Sequence, residues 1–344
     1  MELSIRRETL WLSEVVRSSR RRIDSVGTCM VTLTHDGITA YGEGTPSEYD
    51  GVTADDVVAA LDAEGAVVLG RDLGDPDAAL DRIARWNAPA GARMALDGAV
   101  HDWIGKAAGA PTWKLAGAPR TLGPTVYTLS MTDPEETVDA VRRAPAVGAF
   151  KVKVGGPGDL DALEAIRAVT TLPVRVDANG AWDFQTARAL TPHLRRLGIQ
   201  LIEQPFPVSA CDDYHRYREV SQRLPVFLDE GCTDVASVLA ASLYADGIVV
   251  KLCKAGGIRS ARQVMEAGQR SRLGIMISCQ CESELGISQA AQLAPLADHI
   301  DLDGHFYLKQ PPFLGLALDH GRIVLGDAPG LGVVPARDVK VSPR

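Results

Sequence analysis

Short apolar runs rich in β-branched residues recur along the last two-thirds of the chain. There are eight of them: TVYTLSM, AFKVKVG, LPVRVDAN, IQLIEQP, VFLDEG, GIVVKLCK, GIMISCQ and HIDLDG. Segments with apolar residues at helical spacing lie between them, such as DLDALEAIRAVTT after the second run and SARQVMEAGQRSR after the sixth. Eight strand-then-helix units predict an α/β fold closed into a TIM-type (β/α)8 barrel.

The chain before the barrel has a different pattern. TCMVTLTHDGITAYGEG alternates apolar and polar residues on both sides of Asp36-Gly37, a pair suited to a tight turn, and predicts a β-hairpin. Residues 53–117 carry apolar residues at helical spacing. We therefore predict an α+β capping domain, a barrel, and a C-terminal segment that returns to the capping domain. Their bounds are 1–118, 119–315 and 316–344.

Composition and charge exclude several classes of function. The chain has 344 residues, 46% of them hydrophobic, and a formal net charge of −8 at pH 7, whereas a nucleic-acid surface needs an excess of Lys and Arg. No run approaches the roughly 18 apolar residues of a membrane-spanning helix, and the N-terminus lacks the apolar region of a signal peptide. Six scattered cysteines do not form a disulfide framework. We expect a cytoplasmic homo-oligomer with no nucleic-acid or membrane partner.

Charged residues end most of the predicted barrel strands, where the loops of such barrels carry function. In chain order they are Lys151 and Lys153, Asp177, Glu203, Asp229, Lys251, and Asp301 with Asp303. Carboxylates on three successive apolar strands repel one another unless they share a cation, and oxygen ligands suit Mg²⁺. We predict that Asp177, Glu203 and Asp229 bind Mg²⁺. Asn179 and Glu230 are expected to lie behind them.

Two lysines indicate the type of chemistry. The second and sixth strands of an eight-membered ring face each other, so Lys153 and Lys251 would flank a carboxylate substrate and could each remove or return a proton. This predicts proton transfer next to a carboxylate through an enediolate. Lys151 lies on the same strand face as Lys153 and is either a further catalytic group or a cation that neutralises the acids. Lys254 is expected to be a salt-bridge partner, and it is the rival base if the strand register is wrong.

A basic cluster lies near the N-terminus and contains Arg17, Arg20, Arg21 and Arg22. A solvated loop is the favoured interpretation. The alternative is recognition of an anionic substrate group, with Arg21 as the substrate-binding residue. Loops around residues 15–25 and 45–55 are expected to set specificity.

The motifs KVKVGG, VDANGAW, IEQP, LDEG and KLCKAGG resemble the muconate-lactonizing subgroup of the enolase superfamily. YGEG and MALDGAVHDWIGKAAGAPTWKLAGA look like the capping segment of the same family, so the resemblance spans nearly the whole chain. It implies metal ligands and bases at Asp177, Glu203, Asp229, Lys153 and Lys251. DLDG looks like the Asp-x-Asp of dipeptide epimerases. It implies that Asp301 and Asp303 hold the α-ammonium of a dipeptide.

One departure from the family pattern lies at the seventh strand. In SCQCE, Cys279 takes the place of the Ser that commonly precedes a Glu in the family, while Glu282 is retained as a candidate substrate contact.

These observations favour an isomerase: a Mg²⁺-dependent dipeptide epimerase whose small-molecule substrate is a dipeptide or an N-acylated amino acid carboxylate. Alternatives on the same barrel are an N-acylamino acid racemase and a cycloisomerase or dehydrating synthase, of the muconate cycloisomerase or o-succinylbenzoate synthase kind. A noncatalytic metal-binding scaffold is a hypothesis of another class. The paired lysines argue against it.

Overall fold

The N-terminal region forms a three-stranded antiparallel sheet, with helices packed against it. Strands β1 to β3 are Glu2–Arg17, Arg22–His35 and Ile38–Gly44, and helices α1 to α4 are Ala54–Leu69, Pro76–Arg85, Ala90–Ala107 and Thr112–Leu115. The predicted hairpin is confirmed, because β2 and β3 pair across Asp36 and Gly37, both at positive φ. The sequence pattern does not predict β1, whose many charged residues hide its alternation.

The computed structural model describes residues 1–47, 49, 51–70, 73–156 and 158–339. After the short strand β4 (Thr121–Pro124), the eight predicted runs form one parallel sheet, with the strands in sequence order. These strands, β5 to β12, are Val126–Leu129, Ala149–Lys153, Val174–Asp177, Ile199–Glu203, Val226–Leu228, Gly247–Lys251, Gly274–Ser278 and His299–Asp301. The (β/α)8 prediction is confirmed.

Helices alternate with the barrel strands and cover the outside of the sheet. Helices α5 to α12 are Pro134–Arg143, Asp159–Val169, Phe184–Arg196, Cys211–Arg218, Val235–Ala241, Leu252–Ala255, Ile258–Arg270 and Glu284–Ala291. Aspartates begin three of them by accepting a backbone N–H from the first turn: Asp133, Asp183 and Asp234. α11 buries Ile258, Ala261, Val264, Met265 and Gly268, which recur every three or four residues and form one apolar face.

The interior of the barrel contains an apolar layer. Leu201, Phe227, Val249 and Met276 are buried against one another inside the ring. Each lies two residues before a charged or polar residue that ends its strand or follows it closely, so the period-two alternation of a strand places the polar side chains above this layer, at the mouth.

Side chains join the first and last barrel strands in the described part of the chain. Leu302 N donates to Thr125 Oγ1 at 3.1 Å, and Thr128 N donates to Asp303 Oδ2 at 2.7 Å. Tyr307 Oη lies 3.0 Å from the Thr128 carbonyl oxygen. The residues at this seam therefore contribute to barrel closure as well as to the mouth.

The C-terminal segment contacts both the barrel and the capping domain. Its strands β13 to β16 are Phe313–Leu314, Ala317–Asp319, Arg322–Val324 and Val334–Pro335. Short 3-10 helices form at Ala294–Leu296, Gly304–Tyr307 and Ala336–Asp338. β14 and β15 pair across a turn at His320-Gly321, and β15 also pairs with β4. Leu331 and Val333 pack against Leu10 of the capping sheet. No helix among the described residues is long and apolar enough to cross a membrane.

Candidate active site

A pocket of about 680 Å³ opens at the carboxyl ends of the barrel strands. Its lining comes from the barrel strand ends and from the capping domain. The lining residues with charged or amide side chains are Arg21, Lys151, Lys153, Asn179, Lys251, Gln280, Asp301 and Asp303. Groups that are distant in sequence therefore meet in one concave site.

Three buried carboxylates lie at the base of this site. Asp177 and Glu203 are direct partners in the pairing of β7 with β8, and Asp229 follows the end of β9. They are 0%, 1% and 0% exposed, respectively. Burial and the nearby negative charges of Asp177 and Asp229 raise the pKa of Glu203 to about 8. That repulsion indicates that the three acids occupy one small region.

Lys151 lies among these acids. Its Nζ is 2.8 Å from Glu203 Oε1, 3.0 Å from Asp301 Oδ2 and 3.1 Å from Asp177 Oδ2. Burial alone would lower the pKa of Lys151, but the charges of Asp301 and Glu203 outweigh it and hold that pKa well above its usual value. In this arrangement, Lys151 is a cation that partly neutralises the cluster.

Lys153 and Lys251 lie on opposite sides of the pocket. They end β6 and β10, which are four strands apart in a ring of eight, and both line the pocket. Lys153 Nζ donates to Asp177 Oδ2 at 2.6 Å, and Lys251 Nζ donates to Asp229 Oδ2 at 2.6 Å. We call β6 with its loop to α6 the Lys153 wall, and β10 with its loop to α11 the Lys251 wall.

Lys254 is a salt-bridge partner, as predicted. Its Nζ donates to Asp229 Oδ1 at 2.6 Å and to the Val249 carbonyl at 3.1 Å. It is buried and does not belong to the pocket lining. The strand register that assigns the pocket position to Lys251 is therefore the one observed.

The acids suit a divalent cation by donor type and charge. Glu230 adjoins them, with Oε1 accepting from Asn179 Nδ2 at 3.3 Å and with a buried Oε2 that has no hydrogen-bond partner. Burial and the charges of Asp229 and Asp177 raise the pKa of Glu230. In the described part of the chain, no three His, Cys, Asp or Glu side chains converge closely enough to hold a metal ion. Lysine ammonium groups contact all three acids: Lys153 contacts Asp177, Lys151 contacts Glu203, and Lys251 contacts Asp229.

Gln204 supports the acid cluster, and the sequence analysis did not identify it. It is buried at φ +40°, and its Oε1 accepts the backbone N–H groups of Asp229 (2.9 Å) and Glu230 (3.1 Å). Its Nε2 donates to Tyr214 Oη at 2.7 Å. The signal was available in IEQP, where an amide directly follows a carboxylate that ends a strand.

Asp301 and Asp303 both reach the pocket, but by different routes. Asp301 ends β12 and accepts from Ser278 Oγ at 2.9 Å, while Asp303 lies in the turn beyond the strand. The expectation that both lie on one strand is therefore wrong, because β12 ends at Asp301. Asp303 Oδ2 accepts from Tyr307 Oη at 2.8 Å as well as from Thr128 N. Burial and the charge of Asp301 raise the pKa of Asp303 to about 6.

Glu282 is not brought into the pocket. It is 1% exposed and does not belong to the lining, which is formed at this loop by Cys279, Gln280 and Cys281. Glu282 Oε1 accepts from Gln280 N at 3.3 Å. Burial and the charge of Glu43, from the capping domain, raise the pKa of Glu282 to about 8. The structure therefore corrects the expectation that Glu282 contacts the substrate. Its carboxylate lies toward the interface between the barrel and the capping domain.

The tip of the β1–β2 hairpin reaches over the mouth of the barrel. Arg20 Nε donates to the Asn179 carbonyl at 2.6 Å, and Arg21 Nη2 donates to Gln280 Oε1 at 3.4 Å. Arg21 lines the pocket, so the interpretation as a solvated loop does not hold for it, whereas Arg20 is exposed despite its hydrogen bond. The unpredicted strand β1 explains the difference, because it carries the tip across the domain interface.

Tyr49 covers the pocket from the second loop that was expected to set specificity. Its ring centre is 5.8 Å from Lys251 Nζ and 5.7 Å from the Arg20 guanidinium carbon. Residues 48 and 50 of this loop lie outside the described residues.

Comparisons with known proteins agree with this geometry. A model of the family described as "Enolase C-terminal domain-like" matches residues 134–339. The chain belongs to the enolase superfamily. It is 31% identical over 337 residues to an L-Ala-D/L-amino acid epimerase of Maribacter sp., covering 97% of this chain and 99% of that protein. It is 33% identical over 313 residues to an L-Ala-D/L-Glu epimerase of Bacteroides thetaiotaomicron, covering 88% and 80%.

A solved structure gives the same result for the fold. The crystal structure of a dipeptide epimerase from Methylococcus capsulatus, complexed with Mg and the dipeptide L-Arg-D-Lys, matches with a TM-score of 0.90 at 29% identity, covering 97% of this chain and 99% of that one. The resemblance of the sequence motifs to this part of the enolase superfamily is confirmed.

Proposed function

We propose that this enolase-superfamily protein is a Mg²⁺-dependent dipeptide epimerase that inverts the Cα next to the terminal carboxylate. The observation that carries the proposal is the pair Lys153 and Lys251 on opposite walls of one pocket, with buried carboxylates between them. The substrate class is supported by similar proteins, which are named as epimerases of L-Ala-D/L-amino acids and of dipeptides.

Asp177, Glu203 and Asp229 are the proposed ligands of the cation, since they supply only oxygen atoms and repel one another without it. When bound, Mg²⁺ supplies positive charge that holds the substrate carboxylate and stabilises the negative charge left by proton removal. Asn179 and Glu230 are proposed to support this group: Asn179 lines the pocket, and it donates to Asp177 Oδ1 through its backbone N–H (2.9 Å) and to Glu230 Oε1 through Nδ2 (3.3 Å). Lys151 is proposed to act as a neutralising cation rather than as a base, because it contacts three carboxylates at once.

The two opposing lysines perform the proton transfer. One takes the α-proton as the Cα–H bond breaks, and the other donates a proton to the opposite face of the same carbon. Inversion needs both walls, because a base on one wall can only return the proton to the face from which it came. The assignment of acid and base depends on which epimer is bound.

Asp301 and Asp303 are proposed to hold the α-ammonium of the dipeptide. The hydrogen bonds described for both carboxylates end on Oδ2, from Lys151 and Ser278 in one case and from Thr128 and Tyr307 in the other. The Oδ1 atoms are therefore left for a cationic substrate group. Arg21 is the proposed contact for the rest of the substrate, because it lines the pocket from the capping domain.

Proton exchange in D₂O tests this function. With a panel of dipeptides, deuterium should enter the α-position of both recovered substrate and product. N-acetylation of the same dipeptides should abolish or strongly reduce exchange, because it removes the ammonium that Asp301 and Asp303 bind. Preferred turnover of N-acylated amino acids would instead identify an N-acylamino acid racemase. Conversion of a muconate or succinylbenzoate precursor without α-exchange would reject epimerisation.

A further inference from the structure

A buried carboxylate of the capping domain holds the start of a barrel helix. Asp97, on α3, is 1% exposed. Its carboxylate accepts the backbone N–H groups of Ile258 at 2.7 Å and Arg259 at 3.3 Å, the first two residues of α11. The first N–H groups of a helix have no partner within the helix and attract negative charge. Asp97 therefore fixes the position of this helix end.

The helix end that Asp97 holds belongs to the Lys251 wall. From Lys251, the chain runs through α10 and two glycines directly into α11. The glycines allow α3 to come this close: a Cβ on Gly257 would lie 2.5 Å from Asp97 Cβ, and a Cβ on Gly256 would lie 2.4 Å from Arg93 Nε. Both glycines also have positive φ, at 110° and 94°. The path after Lys251 is thus built around the capping helix.

His101 holds Asp97 from the capping side. One turn along α3, its Nδ1 lies 3.3 Å from Asp97 Oδ1. Burial opposes the charged imidazole, but the charge and hydrogen bonds of Asp97 outweigh burial and raise the pKa of His101. The carboxylate is therefore constrained by its own helix as well as by α11.

A second carboxylate of the capping domain makes the same type of contact one helix further on. Glu43, at the end of β3, accepts from Ser283 N at 3.2 Å and from Gly286 N at 3.0 Å, at the start of α12. It is fully buried, and Ser283 Oγ also donates to it. The capping domain therefore holds the loops after both β10 and β11.

The Lys153 wall is supported differently. The N–H groups of Gly155 and Gly156, which follow Lys153, are bound by Asp159 of the barrel itself, at 2.7 and 3.0 Å. The described hydrogen bonds of the hairpin tip go to the loops after β5, β7 and β11, through Arg17, Arg20 and Arg21 among others. Ser19 of the tip only packs against the Lys153 wall, where a Cβ on Gly155 would lie 2.8 Å from Ser19 Cβ. The hydrogen bonds described for the loop after Lys153 thus come from the barrel, whereas those for the path after Lys251 come from the barrel and the capping helix together.

We propose that Asp97 is a positioning residue for Lys251: by binding the first N–H groups of α11, it sets the place of that amine relative to the substrate and leaves Lys153 unaffected. This inference rests on the proposed two-base epimerisation. It predicts that a change at Asp97 alters the two directions of proton transfer unequally. A general loss of folded structure would reduce both directions alike.

Asp97→Asn, compared with Asp102→Asn, tests the inference. Asp102 is the matched control because it is equally buried on the same helix, but its carboxylate binds Tyr41 N at 2.8 Å and Leu331 N at 2.7 Å, and none of its described hydrogen bonds goes to a barrel helix. The rate of α-proton exchange in D₂O is measured separately for the two epimers of one dipeptide. Lys153→Ala and Lys251→Ala show which epimer each amine serves.

Asp97→Asn should lower the exchange that depends on Lys251 about tenfold, since small displacements of reacting groups have effects of that size or larger. Exchange that depends on Lys153 should change less than about twofold. Asp102→Asn should leave the ratio of the two rates unchanged. Equal losses of both rates in Asp97→Asn, or the same bias in Asp102→Asn, would overturn the assignment.

If Asp97→Asn does not fold, His101→Ala is measured in the same way. It leaves Asp97 in place but removes its support from the capping side, and a smaller bias of the same sign is expected. An unchanged ratio would overturn the inference. A wild-type enzyme that exchanges neither epimer would contradict the proposed function itself, and the two failures are therefore distinguishable.

Discussion

The Lys153 wall and the Lys251 wall present the same side chain to the substrate from different surroundings. The Lys153 side chain is 14% exposed and contacts Asp177 and Asn179, whereas the Lys251 side chain is 4% exposed and lies beneath the ring of Tyr49. The two proposed bases are therefore held by unequal supports. Each can be perturbed without the other, so that the contribution of the capping domain can be measured.

The largest effect is expected at the three buried acids between the walls, Asp177, Glu203 and Asp229. Removal of divalent metal with a chelator should abolish epimerisation, and Mg²⁺ should restore it. Mg²⁺ at about 100 times its Kd should also stabilise the folded protein by about 2.7 kcal/mol, measured as a rise in Tm. Asp177→Asn and Asp229→Asn, one beside each wall, should both lose this rise. The exposed Asp161→Asn is the control; a Tm rise that survives in either acid variant would argue against a shared site.

Replacement of either lysine tests the contributions of the two walls separately. Lys153→Ala and Lys251→Ala should each reduce epimerisation by about 10² to 10⁴, the range for removal of a general acid or base. Each variant should still exchange the α-proton of one epimer, and the two variants should retain opposite epimers. The exposed Lys309→Ala serves as the control. If both variants retained exchange of the same epimer, the amines could not be acting on opposite faces.

The pH dependence of stability tests the loop next to the Lys251 wall. Glu282 has an ordinary pKa of 4.5 and a folded-state pKa of about 8, because of burial and the charge of Glu43. Between these values the unfolded chain has released a proton that the folded protein keeps, so that stability falls as pH rises through this window. Glu282→Gln removes the effect.

The free energy of unfolding of Glu282→Gln, relative to wild type, should therefore rise from pH 4.5 to pH 8, by about 4 kcal/mol. Chemical denaturation at several pH values measures it. The exposed Glu135→Gln is the matched control. An equal gain in its free energy of unfolding would show that burial of Glu282 is not the cause.

Tyr49 should give the smallest effect. Its ring lies over the Lys251 amine but not over the Lys153 amine among the described cation–ring contacts, and such contacts contribute about 0.5–2 kcal/mol. Tyr49→Leu should slow Lys251-dependent exchange by a few-fold and spare Lys153-dependent exchange. Tyr49→Phe keeps the ring and should resemble wild type. Equal slowing of both directions would show that Tyr49 acts on substrate binding instead.

Much of the barrel and of its charged mouth could be predicted from the sequence. The eight strands were identified because each combines a short β-rich run with a following helix, and their order in the sheet is their order in the chain. The acids and lysines followed from strand register, because a charge at the end of a buried strand can only lie at the mouth. The β1 strand was missed, because its charged residues obscure the alternation.

The supports of the site depend on contacts that no local pattern encodes. Asp303 reaches the pocket from a turn rather than a strand, and Glu282 lies outside the pocket lining, near the buried Glu43 of the capping domain. Asp97 meets Ile258 across 161 residues of sequence. Periodicity specifies which face of an element is buried, and it thereby determined the barrel and its opposing lysines. Only the tertiary structure decided which part of the capping domain lies against each wall, because that depends on the packing of elements that are distant in the chain.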